Sequence, residues 1–273
     1  MNTDELIVTD SLIESKFEEL IVDAVKYAIL SIPFTYDRLG IRDLHSKILN
    51  IAKGKAAESI FFEYCKNTGY EVSTARTTTP FHDIDKRDFE YGFHEWDIKN
   101  NFLEHENDLL ELNEYLSIPC LIPNRGPWDQ WSKRDKLFFN NSNGLGYVFT
   151  FMKKSDPRQP GTFFDFHISF KQELFIRDLY DKYQGKHQPT APYPESWFFD
   201  AFTEIDSQFS VDIKMQSRMI IAGTAQAQDF GTFRQMLPSQ VESRYIHTII
   251  ENMGCKVIEL PSFLETFQKI KNG

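Results

Sequence analysis

RDFEYGFHEWDIKNN, residues 87–101, sets acidic residues among aromatic ones on both sides of Gly92. Glycine reaches positive φ at no steric cost, and a two-residue loop with glycine at its first central position suits a type II′ hairpin turn. A turn at Gly92-Phe93 sets the register. Tyr91 faces His94, Glu90 faces Glu95, Phe89 faces Trp96 and Asp88 faces Asp97. Strand side chains alternate between faces, and cross-strand partners share a face. One face of the ribbon therefore carries Phe89, Tyr91, Trp96 and Ile98, and the other Asp88, Glu90, Glu95, Asp97 and Lys99. Directly opposed acids destabilise a bare sheet. Two such pairs stand side by side here with one lysine nearby, and a metal ion would relieve at least one of them.

Upstream, residues 10–31 place apolar residues at helical spacing, with Asp10 or Ser11 as the cap. Residues 41–66 read as one long helix, or two joined near Gly54, with Gly69 where a C-terminal cap is expected. YEVSTA (70–75) reads as a strand. Downstream, 103–117 reads as a helix, PCLIP (119–123), GYVFTFMK (146–153) and FFDFHISF (163–170) as strands, and 172–183 as a helix. Residues 184–196 hold three prolines and one glycine and read as a loop or boundary. The tail offers a strand-like stretch at 210–223, a helix at 238–254, a strand at 256–260 and a last helix. Alternating helices and strands place the chain in the α/β or α+β class.

The chain has 273 residues, enough for one large domain with its own core. Its 25 phenylalanines predict an aromatic core. The three cysteines are far apart and include no CxxC pair, which argues against a cysteine zinc site and fits a reducing compartment. The N-terminus lacks the pattern of a signal peptide, and no apolar run has the length of a membrane helix. A cytoplasmic protein without membrane contact is the expectation. The net charge of -10 opposes nonspecific nucleic-acid binding. It does not oppose a carboxylate site that meets phosphate through a divalent cation.

Asp88, Asp97 and Lys99, with Glu58 from the preceding helix, form the leading constellation. Phosphodiester hydrolysis with magnesium needs carboxylates a few ångströms apart to hold the ion. It also needs a cation to orient the attacking water and to meet the charge that builds on the phosphate.

In motif order, residues 50–100 resemble the PD-(D/E)xK nuclease superfamily, which includes most type II restriction endonucleases. GKAAESIFFEYCKNTGYEV supplies a glutamate-bearing helix and a strand, Asp88 matches the first hairpin acid, and Asp97 and Lys99 match the closing acid-x-lysine pair. The resemblance implies a restriction-endonuclease-like mixed sheet flanked by helices. It also implies magnesium-dependent hydrolysis of double-stranded DNA, with manganese as a substitute metal. Asp88 and Asp97 would be metal ligands, Glu58 an outer ligand, and Lys99 the group that positions the water. Arg87 stands where the family has proline, and eight residues between the two aspartates is a short gap. Asp83 and Asp85 are therefore rivals for the first acid, and Glu63 a weaker rival for Glu58. The division expected is a single domain, 1–273, made of a helical N-terminal extension (1–49), a catalytic core (50–183) and C-terminal α/β elements (184–273) for recognition or dimerisation. By family analogy the partner is duplex DNA and the assembly a homodimer. A repair or junction-resolving nuclease of the same fold, or a DNA-binding protein with structural hairpin acids, are the alternatives.

Three further features compete. Asp212 and Lys214 form a second acid-x-lysine pair, which in sequence lacks a partner acid. His82, Asp83 and Asp85 could bind a metal but equally suit a turn after Pro80. Residues 124–144 gather Arg125, Lys133, Arg134 and Lys136 with Trp128 and Trp131, a candidate DNA contact diluted by Asp129 and Asp135. No phosphate-binding GxxxxGK[ST] loop, GxSxG elbow, dinucleotide fingerprint or HExxH helix is present.

Overall fold

The computed structural model describes residues 7–9, 16–34, 43–83, 87–103, 114–137, 144–154, 163–183, 190–241 and 245–272. The side chains of Val8, residues 134–137 and residues 153–154 are outside the description. The expected helix at 103–117 falls mostly on residues outside it, as do Asp10, Ser11 and Asp85.

The ribbon at residues 87–101 is the edge of a five-stranded mixed sheet. In order, the strands are β1 (Ile7–Thr9), β8 (Ser217–Ala225), β5 (Leu145–Lys154), β3 (His94–Phe102) and β2 (Phe89–Tyr91). β3 and β5 run parallel and the other neighbours antiparallel. Phe89 pairs with Trp96, Glu90 with Glu95 and Tyr91 with His94, the register that alternation and the turn require. The turn itself differs from expectation. Gly92 and Phe93 both have positive φ, 58° and 64°, so the loop has type I′ rather than type II′ character.

Helix α1 (Phe17–Ser31) packs on α2 (Leu44–Thr68), and both cover one face of the sheet. α2 is one continuous helix. Asp43 caps it through a 2.7 Å bond from the Ser46 N–H, and Gly69 ends it in the left-handed conformation. Trp96, Ile98, Val148, Met219 and Ile221 from the sheet meet this helical layer. α4 (Phe170–Tyr183), α5 (Glu195–Ile205) and α7 (Phe263–Asn272) extend the same core. Phenylalanine supplies much of its bulk, with Phe61, Phe89, Phe163, Phe164, Phe166, Phe198 and Phe202 each buried.

Tyr147, Phe149, Phe151, Ile220 and Ala222 point to the opposite face. There they pack on a three-stranded antiparallel sheet of β4 (Pro119–Pro123), β10 (Asn252–Lys256) and β9 (Arg234–Met236). Trp131 of α3 (Gln130–Leu137) and Val241 of α6 (Pro238–Val241) join this second core. A two-stranded ribbon, β6 (Phe164–His167) and β7 (Ser210–Ile213), lies outside both sheets.

Several expectations need correction. YEVSTA is not a strand: Ser73 alone bridges Glu90 on the free edge of β2. The helix expected at 238–254 stops after one turn at Val241, and the strand expected at 256–260 lies earlier, at Asn252–Lys256, followed by a 3-10 turn. A loop expected to run to residue 196 gives way to α5 at Glu195. The segments 1–49 and 184–273, expected as additions to the 50–183 core, also supply strands to its sheet. β1 pairs with β8, and β8 sits between β1 and β5. Such order comes from packing between distant segments, which local periodicity does not carry.

Candidate functional site

The regular ladder of the β2–β3 ribbon ends at Phe89, so Asp88 does not simply face Asp97. Its N–H bonds the Trp96 carbonyl at 2.9 Å, and its side-chain Oδ2 accepts the Ile98 N–H at 2.5 Å. The Thr77 hydroxyl binds the Asp88 carbonyl at 2.8 Å. A carboxylate thus takes the place of a backbone acceptor at the end of the ladder and is held there.

Asp88 is desolvated, and burial pushes its carboxyl pKa well above the usual range. The negative charges of Glu58 and Asp97 push it further, while Lys99 and the Ile98 N–H oppose the shift. The four residues singled out in the sequence therefore act on one point. Lys99 Nζ stands 2.6 Å from both oxygens of Asp97, and the two side chains are 12% and 14% exposed. Lys55 Nζ holds Glu58 at 2.6 Å. Glu58 is brought in by α2, whose opposite side is anchored by Ala56, Ala57, Ile60 and Phe61 in the core. The cluster thus contains two ion pairs, Lys99–Asp97 and Lys55–Glu58, beside a carboxyl whose ionisation is opposed.

Among the described residues, no three His, Cys, Asp or Glu side chains stand together as a metal cage. Magnesium does not need one, because it keeps several waters and binds through one or two carboxylates. Asp88 and Asp97 offer hard oxygen donors, and both oxygens of Asp97 already hold one cation, the Lys99 ammonium. Carboxylate oxygens are the kind of donor that hard divalent cations such as magnesium and manganese take.

The second opposed pair, Glu90 and Glu95, calls for no metal. Arg76 lies 3.4 Å from Glu90, and Arg87 pairs with Glu95. Arg87 thus has a structural task where the resembling family carries proline. Of the rivals, Asp83 is exposed in a turn closed by its N–H on the Pro80 carbonyl. Glu63 is tied to Lys16 at 2.8 Å. His82 packs edge-on against Phe34 and Phe81.

The second acid-x-lysine pair does have a partner acid, which sequence reading missed. Asp165 on β6 is the direct neighbour of Asp212 on β7, and Lys214 reaches Asp165 at 3.1 Å. Alternation in FFDFHISF and SVDIK could have revealed this pair, but no turn links the two segments to set a register. His45 bonds Asp165 at 3.0 Å and His167 bonds Asp212 at 2.8 Å. Asp212 and His167 are largely exposed, so these contacts are cross-ties on a solvated face.

In the 124–144 segment, Arg125 lies against Asp129 through Nε at 2.7 Å and over Trp128 at 4.8 Å. Asp129 is buried and also accepts the N–H groups of Arg125 and Gln130. Arg125 is therefore a structural cation here, and Lys133 is exposed. The side chains of Arg134 and Lys136 are outside the description. Trp131 is buried against Phe230 and Phe233. No helix of the described residues is long and apolar enough to cross a membrane. Comparison with known proteins returns no match among family models, curated proteins or solved structures.

Proposed function

We propose that this chain is a magnesium-dependent endodeoxyribonuclease of type II restriction kind that hydrolyses phosphodiesters of double-stranded DNA, with manganese able to replace magnesium. One observation carries the reading. A desolvated Asp88 carboxyl feels Glu58, Asp97 and Lys99 together, at the end of a ribbon held by backbone hydrogen bonds. A structural acid would not ordinarily be kept in surroundings that oppose its charge; such perturbed groups concentrate where chemistry is done.

Asp88 and Asp97 would hold the metal, with Glu58 in outer contact. A divalent ion held there would supply Lewis-acid polarisation of the phosphate and a more acidic water. Asp97 orients the Lys99 ammonium, which then faces the negative charge that develops on the phosphate and positions the attacking water. Desolvation around Asp88 strengthens each of these interactions. A twofold dimer would present two such sites to the two strands of a symmetric sequence.

The experiment is plasmid cleavage under magnesium or manganese titration, with Asp97→Ala and Lys99→Ala as controls. Discrete fragments lost in both variants support restriction. Structure-selective nicking supports repair or junction resolution. Binding without cleavage by the parent would make the hairpin acids structural.

A further inference from the structure

The turn that joins the two strands of the site carries a residue that folding alone does not favour. Phe93 is 90% exposed and has a φ of 64°. It is the one non-glycine residue with positive φ among those described. Asparagine or glycine would satisfy a type I′ turn without steric conflict, whereas a bulky side chain is strained there. The ring also leaves its apolar surface in water. Strain and exposure at one residue, on the ribbon that bears Asp97 and Lys99, point to contact with something outside the chain.

The surroundings say what that partner is. α7 closes against the turn: Tyr91 stacks on Phe267 with ring centres 4.5 Å apart, and a side chain at Gly92 would strike Ile270 at 1.8 Å. The last turn of α7 therefore lies beside the tip and brings Lys269 and Lys271 with it. Lys269 is held by Glu265 at 2.6 Å, and Lys271 is exposed. On the other side, Gln226 reaches His94 at 3.5 Å, and Asp229 is occupied in accepting the Gln226 N–H. An exposed aromatic ring with the exposed Lys271 beside it matches a nucleic acid, whose bases stack on aromatic rings and whose phosphates take an ammonium.

We propose that Phe93 is a DNA-positioning residue that wedges between base steps of the bound duplex while Lys271 meets the adjoining phosphate. This rests on the nuclease reading and deepens it. Apolar side chains inserted at a base step unstack it and bend the duplex. Phe93 lies four residues from Asp97, about 13 Å along the chain, which separates the wedge from the reacting phosphate.

The test uses full-length protein carrying Lys99→Ala, calcium in place of magnesium, and a fluorescent 30-base-pair duplex with a randomised core. Phe93→Asn relieves the turn and should melt no lower than its parent, yet bind about tenfold more weakly or worse. Phe93→Trp should keep affinity within a few-fold, and Lys271→Ala should bind more weakly with a shallower salt dependence. Equal binding by the Phe93→Asn protein overturns the wedge and leaves the nuclease reading standing. No duplex binding by the parent overturns the wedge, and plasmid cleavage by the unsubstituted protein decides the nuclease reading separately. A parent multimer that becomes monomeric on Phe93→Asn would make the tip a contact between copies of this chain and overturn the wedge.

Discussion

Both oxygens of Asp97 lie 2.6 Å from the ammonium of Lys99, two residues farther along the same strand. The spacing puts the two side chains on one face, and the chelate aims the amine before any substrate is present.

Removing that amine should cost chemistry rather than folding. Lys99→Ala is expected to lower the plasmid-cleavage rate by about 10²–10³-fold, the loss typical of one group that stabilises developing charge. Asp97→Ala should lose at least as much, because it removes the partner that orients Lys99 and, on the proposed function, a metal ligand as well. Circular dichroism should stay at the parental signal for both. Parental cutting by the Lys99→Ala protein would take Lys99 out of the mechanism.

Asp88 makes the metal-free fold depend on pH. Burial, then Glu58 and Asp97, raise its folded pKa above the ordinary 3.8. The folded state thus holds this proton more tightly than the unfolded state. The stability contribution is fully present below pH 3.8 and is lost as pH rises through the folded value. Asp88→Asn keeps an acceptor for the Ile98 N–H and removes the charge. Without metal at pH 8 the variant should melt higher than the parent, and the gap should close on acidification toward pH 4. Magnesium should raise the parental melting temperature and leave that of the variant unchanged. A parent that melts higher than Asp88→Asn at pH 8 without metal would contradict the electrostatic account.

Gly92 is constrained twice, by its φ of 58° and by Ile270 Cγ2, 1.8 Å from where a Cβ would sit. Gly92→Ala should destabilise by about 1–3 kcal/mol through overpacking, with strain at positive φ added. Adding Ile270→Ala should recover the overpacking part only. Urea denaturation of the four proteins of the cycle measures the coupling, and strict additivity would mean that α7 yields without cost.

Asp129 tests whether the basic segment is structural. Burial opposes its ionisation, yet the hydrogen bonds from Arg125 and Gln130 hold its pKa below the usual value. Its stabilising effect is therefore present above pH 3.8 and lost as pH falls through the folded pKa. Asp129→Ala should cost about 3–5 kcal/mol, as expected when one partner of a buried pair is removed. Lys133→Ala should alter chemical denaturation little. Arg125→Ala with normal stability and weaker DNA binding would return Arg125 to the interface.

The ribbon was legible in the sequence because every signal in it is local. Alternation assigned the faces, Gly92 located the loop, and Phe89, Glu90 and Tyr91 found their partners by counting from it. The C-terminal cap of α2 was legible for the same reason, since Gly69 acts within a turn of the helix, whereas the N-cap Asp43 falls inside the stretch that the sequence reads as helix. The turn type was missed because Phe93 is an improbable residue at positive φ. Arg76 and Arg87 as relief for Glu90 and Glu95 were missed because Arg76 lies on a separate segment and Arg87 beyond the strand's end.

Residue order alone established the two-faced hairpin, the acid-x-lysine pair on its polar side and a helical stretch before it that ends at Gly69. Each depends on φ, ψ and side-chain periodicity over a few residues. Three-dimensional packing placed Glu58 within electrostatic reach of Asp88, put β8 between β1 and β5, and set Asp165 beside Asp212. Those relations join segments up to about two hundred residues apart, where burial of shared apolar faces selects the partner and no short-range pattern can.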